Sequence, residues 1–119
     1  MDFDIRSEGK YKIVKLTGRV EWDRARELDG AVRQLIADGC AHIAFDLNEV
    51  VYICSAGIGA LVYNLNAVKK RGGAIYIISS NEYIEYLFET LKFDMVFEGR
   101  IYPDLDAFRA TAIERRETT

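Results

Sequence analysis

The sequence predicts an α/β fold: a mixed β-sheet of about four or five strands with about four α-helices packed on it. Three observations predict it. Apolar or β-branched runs at 11–17, 42–47 and 74–78 read as strands. Amphipathic stretches with helical spacing lie between and after these runs. The strand–helix–strand order across 42–78 demands a right-handed crossover and a parallel pair. The 119 residues make one domain, 1–119, with no internal repeat or linker. A chain of that length hides roughly two thirds of its unfolded surface, enough for one real core.

The elements follow in order. Residues 2–6 and 11–17 form two strands joined by a tight turn at SEGK. The second, YKIVKLT, partly alternates and suits a half-buried strand. Ala25, Leu28, Ala31, Val32, Leu35 and Ile36 make one helical stripe over 23–38. Asp23 is its expected N-cap and Gly39 its stop. HIAFDL at 42–47 suits a buried strand. A helix opens at Ser55 and carries Ile58, Leu61, Val62, Leu65 and Val68 on one face. Lys69, Lys70 and Arg71 complement its dipole, and Gly72-Gly73 ends it. AIYII at 74–78 is the next strand. Asn81 caps a helix through Ile84, Leu87, Phe88 and Leu91. Residues 95–97 read as a short strand. Asp104 opens a last helix with Leu105, Phe108 and Ile113 inward, and the tail ERRETT frays.

Composition excludes several functions. A net charge of −3 argues against a nucleic-acid partner, which calls for a basic face. Two cysteines, Cys40 and Cys54, are too few for a disulfide framework and fit a reducing cytosol. The N-terminus lacks a signal-peptide pattern, and no apolar run approaches the ~20 residues of a membrane span. A cytoplasmic location without membrane insertion is expected. Gly57-x-Gly59 lacks the third glycine of a dinucleotide fingerprint, because Val62 stands there. No P-loop occurs. His42, the one histidine, heads a strand and reads as a partly exposed strand residue. With two scattered cysteines it makes no metal set. Cys54, before a helix, is either a nucleophile of lowered pKa or a small buried thiol. His42 is its only conceivable imidazole base. Neither cofactor, metal nor catalysis is therefore expected.

The stretch NEVVYICSAGIGA at 48–60 carries the meaning. With Asp46 before it, this stretch resembles the signature of the STAS domain family, in particular the bacterial anti-sigma factor antagonists. LTGRVEW at 16–22, GGAIYII at 72–78 and LFETLKFDMVF at 87–97 extend the resemblance over nearly the whole chain. Cys54 stands where the family has an aspartate before the serine, and Glu21 stands for an aspartate in the first corner. The resemblance implies a sheet core with helices on one side. It implies that the unphosphorylated domain binds an anti-sigma factor with serine kinase activity, that the kinase phosphorylates Ser55, and that a phosphoserine phosphatase reverses this. Glu21, Cys54, Ala56, Gly57, Ile58 and Gly59 would form the partner-binding surface around it, with Glu21 close to Ser55. On the residues alone Ser55 reads as an N-cap and nothing more, and Gly57 and Gly59 are either close-packing glycines or openings for a partner's backbone. A stand-alone STAS subunit of a membrane transport complex is the second reading. A small-ligand or nucleotide sensor, or an enzyme acting through Cys54, is the third.

Overall fold

Alternation along the strands decides how the layers stack. In the strand that starts at His42, the side chains of Ile43, Phe45 and Leu47 turn to one face, while Ala44 and Asp46 turn to the other. All five are buried, so both faces of the sheet need cover. The structure, a computed structural model, describes residues 3–114. Its elements are β1 (Phe3–Glu8), β2 (Tyr11–Val20), α1 (Trp22–Ala37), β3 (His42–Ile53), α2 (Ser55–Val62), α3 (Leu65–Lys70), β4 (Ala74–Ile78), α4 (Glu82–Thr90), α5 (Phe93–Val96), β5 (Ile101–Tyr102) and α6 (Leu105–Phe108), which runs on as a π-helical turn at Arg109–Glu114. The five strands lie in the order β1-β2-β3-β4-β5. The first pair is antiparallel and the other three are parallel.

The front core holds Val14, Leu16, Phe45 and Ile77 against Leu28 and Val32 of α1, Leu61 of α2 and Phe88 of α4. The back core is smaller and aromatic: Tyr11, Tyr76 and Tyr102 meet Phe108 and Ala112 of the C-terminal helix. The expectation of helices on one side is thus corrected, since the last helix covers the back. Its docking is fixed by polar contacts. The Tyr11 hydroxyl donates to the Ala112 carbonyl at 2.9 Å, and Arg109 forks onto Glu8 at 2.8 and 2.6 Å.

Several boundaries differ from the sequence reading. β3 runs to Ile53 rather than 47, because β2 continues beside it to Val20. The helix expected from Ser55 to Arg71 breaks at Tyr63–Asn64, where Asn64 turns its amide to Asp29 of α1 at 3.3 Å. Residues 95–97 are not a strand. Lys92 enters the left-handed region at φ 64°, the chain winds into α5, and Phe97 is buried. The fifth strand comes later, pairing Ile101 and Tyr102 with Ile77 and Ile78. The N-cap of α1 is Glu21, not Asp23, and its side chain makes no capping bond. Asn81 and Asp104 cap as expected, accepting from the N–H groups of Tyr83 and Ala107 at 2.9 and 2.8 Å. Gly73 is required sterically, because a Cβ there would lie 1.6 Å from the Ala41 carbonyl oxygen. Asp2 of the first strand and residues 115–119 of the tail lie outside the described residues.

Candidate functional site

The site grows from the place where two parallel strands end together. Thr17, Gly18, Arg19 and Val20 pair with Glu49, Val50, Tyr52 and Ile53, with register shifts between Lys15 and Thr17 and between Gly18 and Arg19. Arg24, in the first turn of α1, braces this irregular end by donating to the carbonyls of Thr17, at 2.9 Å, and Arg19. The sequence reading missed Arg24. Its signal was weak: a cation in a first helical turn opposes the dipole by only about 0.3–1 kcal/mol, and the contacts that hold it are not local.

Past Val20 and Ile53 both chains turn into helices, with Glu21 and Cys54 as N-caps of α1 and α2. The Cys54 N–H donates to the Val20 carbonyl at 3.0 Å. Neighbouring strands run about 4.8 Å apart, so Glu21 and the Cys54–Ser55 turn sit at one end of the sheet. Glu21 is exposed and meets Arg19 at 3.4 Å, and the Arg19 guanidinium lies 4.7 Å over the Tyr52 ring.

Ser55 is the first helical residue of α2, one position past the cap where the sequence placed it. It is exposed, and its hydroxyl makes no hydrogen bond among the described residues. The first turn of α2 holds no acidic side chain, so the positive end of its dipole is uncompensated. Ala56 is half-buried; Gly57, Ile58 and Gly59 are buried. This corrects the idea that Gly57 opens the turn to a partner. A Cβ at Gly57 would lie 2.6 Å from Ile53 Cγ1 and 3.1 Å from Val20 Cγ1, facing inward. Gly59 lies under the Tyr63 ring, whose nearest atom would stand 2.5 Å from an added Cβ.

The outward stripe of α2 is therefore a low ridge from Ser55 and Ala56 to Tyr63, with a groove on each side. The groove toward α1 has a volume of about 530 Å³, a floor of Ala25, Ala56 and Ala60, and walls of Trp22 and Tyr63 with the charged Arg26, Asp29 and Arg33. The groove toward the α4–α5 corner, about 220 Å³, runs from Ser55 past Ile58 and Val62 to Leu91 and Phe93. Trp22 is 60% exposed, Tyr63 73% and Leu91 44%. Large apolar side chains gathered in the open mark a surface that expects company.

Nucleophilic chemistry through Cys54 loses its base. His42 begins β3 and Cys54 follows its end, more than about 30 Å away at the rise of a strand. His42 instead sits on the back face, with Nδ1 3.0 Å from the Tyr76 hydroxyl. Among the described residues no group of three or more His, Cys, Asp or Glu is placed to hold a metal ion. No helix of the described residues is long and apolar enough to cross a membrane.

Comparison with known proteins fits this architecture. The family model for the STAS domain matches residues 2–108. The chain belongs to the STAS domain family. This STAS domain is 27% identical over 89 residues to the anti-sigma-B factor antagonist of Staphylococcus aureus, covering 75% of the chain and 82% of the relative. It superposes with a TM-score of 0.76 on the phosphorylated form of the Bacillus cell fate determinant SpoIIAA, at 12% identity, covering 96% of this chain and 98% of that one. A sulfate transporter family protein from Wolinella succinogenes gives 0.77 at 20% identity, covering 92% and 90%. The STAS fold is thus common to proteins of different description, and the site has to carry the functional argument.

Proposed function

We propose that this STAS domain is an anti-sigma factor antagonist whose binding is switched by phosphorylation of Ser55. The observation that carries the reading is the exposed, unbonded Ser55 hydroxyl at the start of α2, on a ridge between an apolar groove and a larger one lined by Trp22 and Tyr63 together with Arg26, Asp29 and Arg33. The similarity to the Staphylococcus aureus anti-sigma-B factor antagonist supports it. The partner is an anti-sigma factor with serine kinase activity, and a phosphoserine phosphatase resets the switch. The domain is a cytoplasmic substrate with no turnover of its own. Glu21, Cys54, Ala56 and Ile58 border the contact, while Gly57 and Gly59 shape it from beneath.

The mechanism is local. Unphosphorylated, the turn presents a neutral, small-residue surface that a partner can cover completely. A phosphate adds about −1.5 to −2 charges at the centre of that contact. The helix N-terminus accommodates the anion within the domain, so the fold stays intact. Burying the charge under a partner is costly, because an unpaired ion is removed from water.

The test uses the kinase-type anti-sigma factor of the source organism, ATP and tandem mass spectrometry. Phosphate maps to Ser55; Ser55→Ala binds constitutively, and Ser55→Asp binds at least about tenfold more weakly, the ~1.4 kcal/mol expected for one poorly placed charge. Phosphate on another residue, or wild-type binding by Ser55→Asp, overturns the reading. A second role, as a subunit of a membrane transport complex, is the alternative that the shared fold permits. In that role Ser55→Asp leaves function unchanged and a permease co-purifies with the domain.

A further inference from the structure

β3 overshoots β4. Only His42 to Asp46 pair with β4, yet the strand continues to Ile53. One edge of this overhang pairs with β2, while the other has no strand beside it. Its backbone groups are met instead by side chains from the start of α4. The Asn81 amide donates to the Val50 carbonyl at 2.7 Å. The Tyr83 hydroxyl takes both polar groups of Ile53: it accepts from the Ile53 N–H at 3.1 Å and donates to the Ile53 carbonyl at 3.4 Å. Ile53 is buried at 3% exposure, so water is a poor substitute there. Immediately after it, the Cys54 N–H bonds to Val20 on the opposite side. The peptide that launches Ser55 is thus gripped from two directions, by β2 and by one phenol.

We infer that Tyr83 is a positioning residue for the Ser55 switch, its hydroxyl fixing the Ile53 peptide and hence the direction in which Ser55 leaves the sheet. The same contact ties the Ser55 turn to α4, whose far end supplies Leu91 to the second groove. The two walls of that groove therefore keep a constant relation to the serine. The part played in partner recognition rests on the function proposed above; the grip on the turn does not.

Tyr83→Phe removes both bonds and keeps the ring. Tyr11→Phe is the control, because it deletes a buried hydroxyl bond on the far face of the sheet. Amide exchange in wild type should show Ile53 protected although no strand covers it; an unprotected Ile53 overturns the inference even if the variant fails to fold. In Tyr83→Phe, exchange at Ile53 and at Cys54, whose N–H shares the gripped peptide and bonds to Val20, should rise by roughly three- to tenfold, the scale of one net hydrogen bond, while Tyr11→Phe leaves both unchanged. With ATP and native cell extract as the kinase source, kcat/KM for Ser55 labelling should fall by a similar factor in Tyr83→Phe alone. Unchanged exchange, or unchanged labelling of a wild-type-active site, overturns the positioning role. If wild type is never labelled at Ser55, the antagonist reading falls, and accelerated or unchanged exchange at Ile53 and Cys54 still decides for or against the grip of Tyr83.

Discussion

At the scale of single residues, two glycines two positions apart do different work. Gly57 faces the ends of β2 and β3, where an added Cβ meets Ile53 and Val20 side chains that the core holds in place. Gly57→Val should therefore cost about 1–3 kcal/mol, the usual penalty of overpacking, and lower Tm by several degrees. Gly59 faces only the phenol end of Tyr63, an exposed side chain that can swing aside. Gly59→Ala should leave Tm within about a degree or two of wild type, or raise it slightly, since alanine favours the helix. It should nevertheless weaken partner binding, because the displaced ring alters the ridge. Thermal melts run beside binding titrations separate the two. A Gly57→Val domain that melts like wild type would refute the packing assignment. The sequence named both glycines but turned Gly57 toward the partner, with Gly57→Val expected to harm binding more than the fold; the structure turns it inward onto Ile53 and Val20, because the facing of a helical Cβ depends on what lies across the first turn.

At the scale of elements, α4 does more than cover the front of the sheet. Asn81 caps it with its carbonyl oxygen and holds Val50 with its amide nitrogen, so one side chain joins a helix start to the β3 overhang. Asn48 works from the other side, accepting from the Ser80 N–H at 2.7 Å and donating to the Pro103 carbonyl at 3.0 Å. Losing a cap alone costs about 1 kcal/mol. Asn81→Ala should exceed that, at roughly 2–3 kcal/mol by denaturant unfolding, since the Val50 carbonyl also loses its donor. Asn81→Ser keeps a capping oxygen and lacks the amide donor, so it should recover about half. If Asn81→Ser is as damaging as Asn81→Ala, capping is not the main contribution. The cap was legible in the sequence, because Asn followed by acidic residues is a local signal. The bond to Val50 was not, since it spans 31 positions.

At the scale of the whole molecule, the C-terminal helix is tied to the first hairpin by Glu8 and Arg109. Its bond to the Arg109 guanidinium holds the Glu8 carboxyl below its ordinary value of 4.5, against a smaller opposing effect of burial. A carboxylate depressed in the folded state stabilises above its unfolded pKa and loses that contribution as pH falls through the folded value. The wild-type Tm should thus drop more steeply than that of Glu8→Gln over the range from above pH 4.5 to below the folded value of Glu8. The two should converge at the acid end of that range. Parallel curves across it would show that the pair does not stabilise the docked helix. Near-UV circular dichroism of the Tyr11–Tyr76–Phe108 cluster reports the same undocking directly.

Local chemistry determined the order of elements, the caps at Asn81 and Asp104, and the turn at Ser55, because each depends on residues within a few positions of one another. The motif around Ser55 also carried the family, which the match over residues 2–108 bears out. Tertiary structure decided the rest. It lengthened β3, since a strand persists wherever a neighbour supplies bonds, and β2 supplies them to Val20. It turned 95–97 into helix and moved the last strand to Ile101–Tyr102, because a short apolar run takes the form of whatever it packs against. It put the last helix behind the sheet, where Tyr11, Tyr76 and Tyr102 needed cover. It also joined Tyr83 to Ile53, a bond between a side chain and a peptide 30 positions apart that no periodicity encodes.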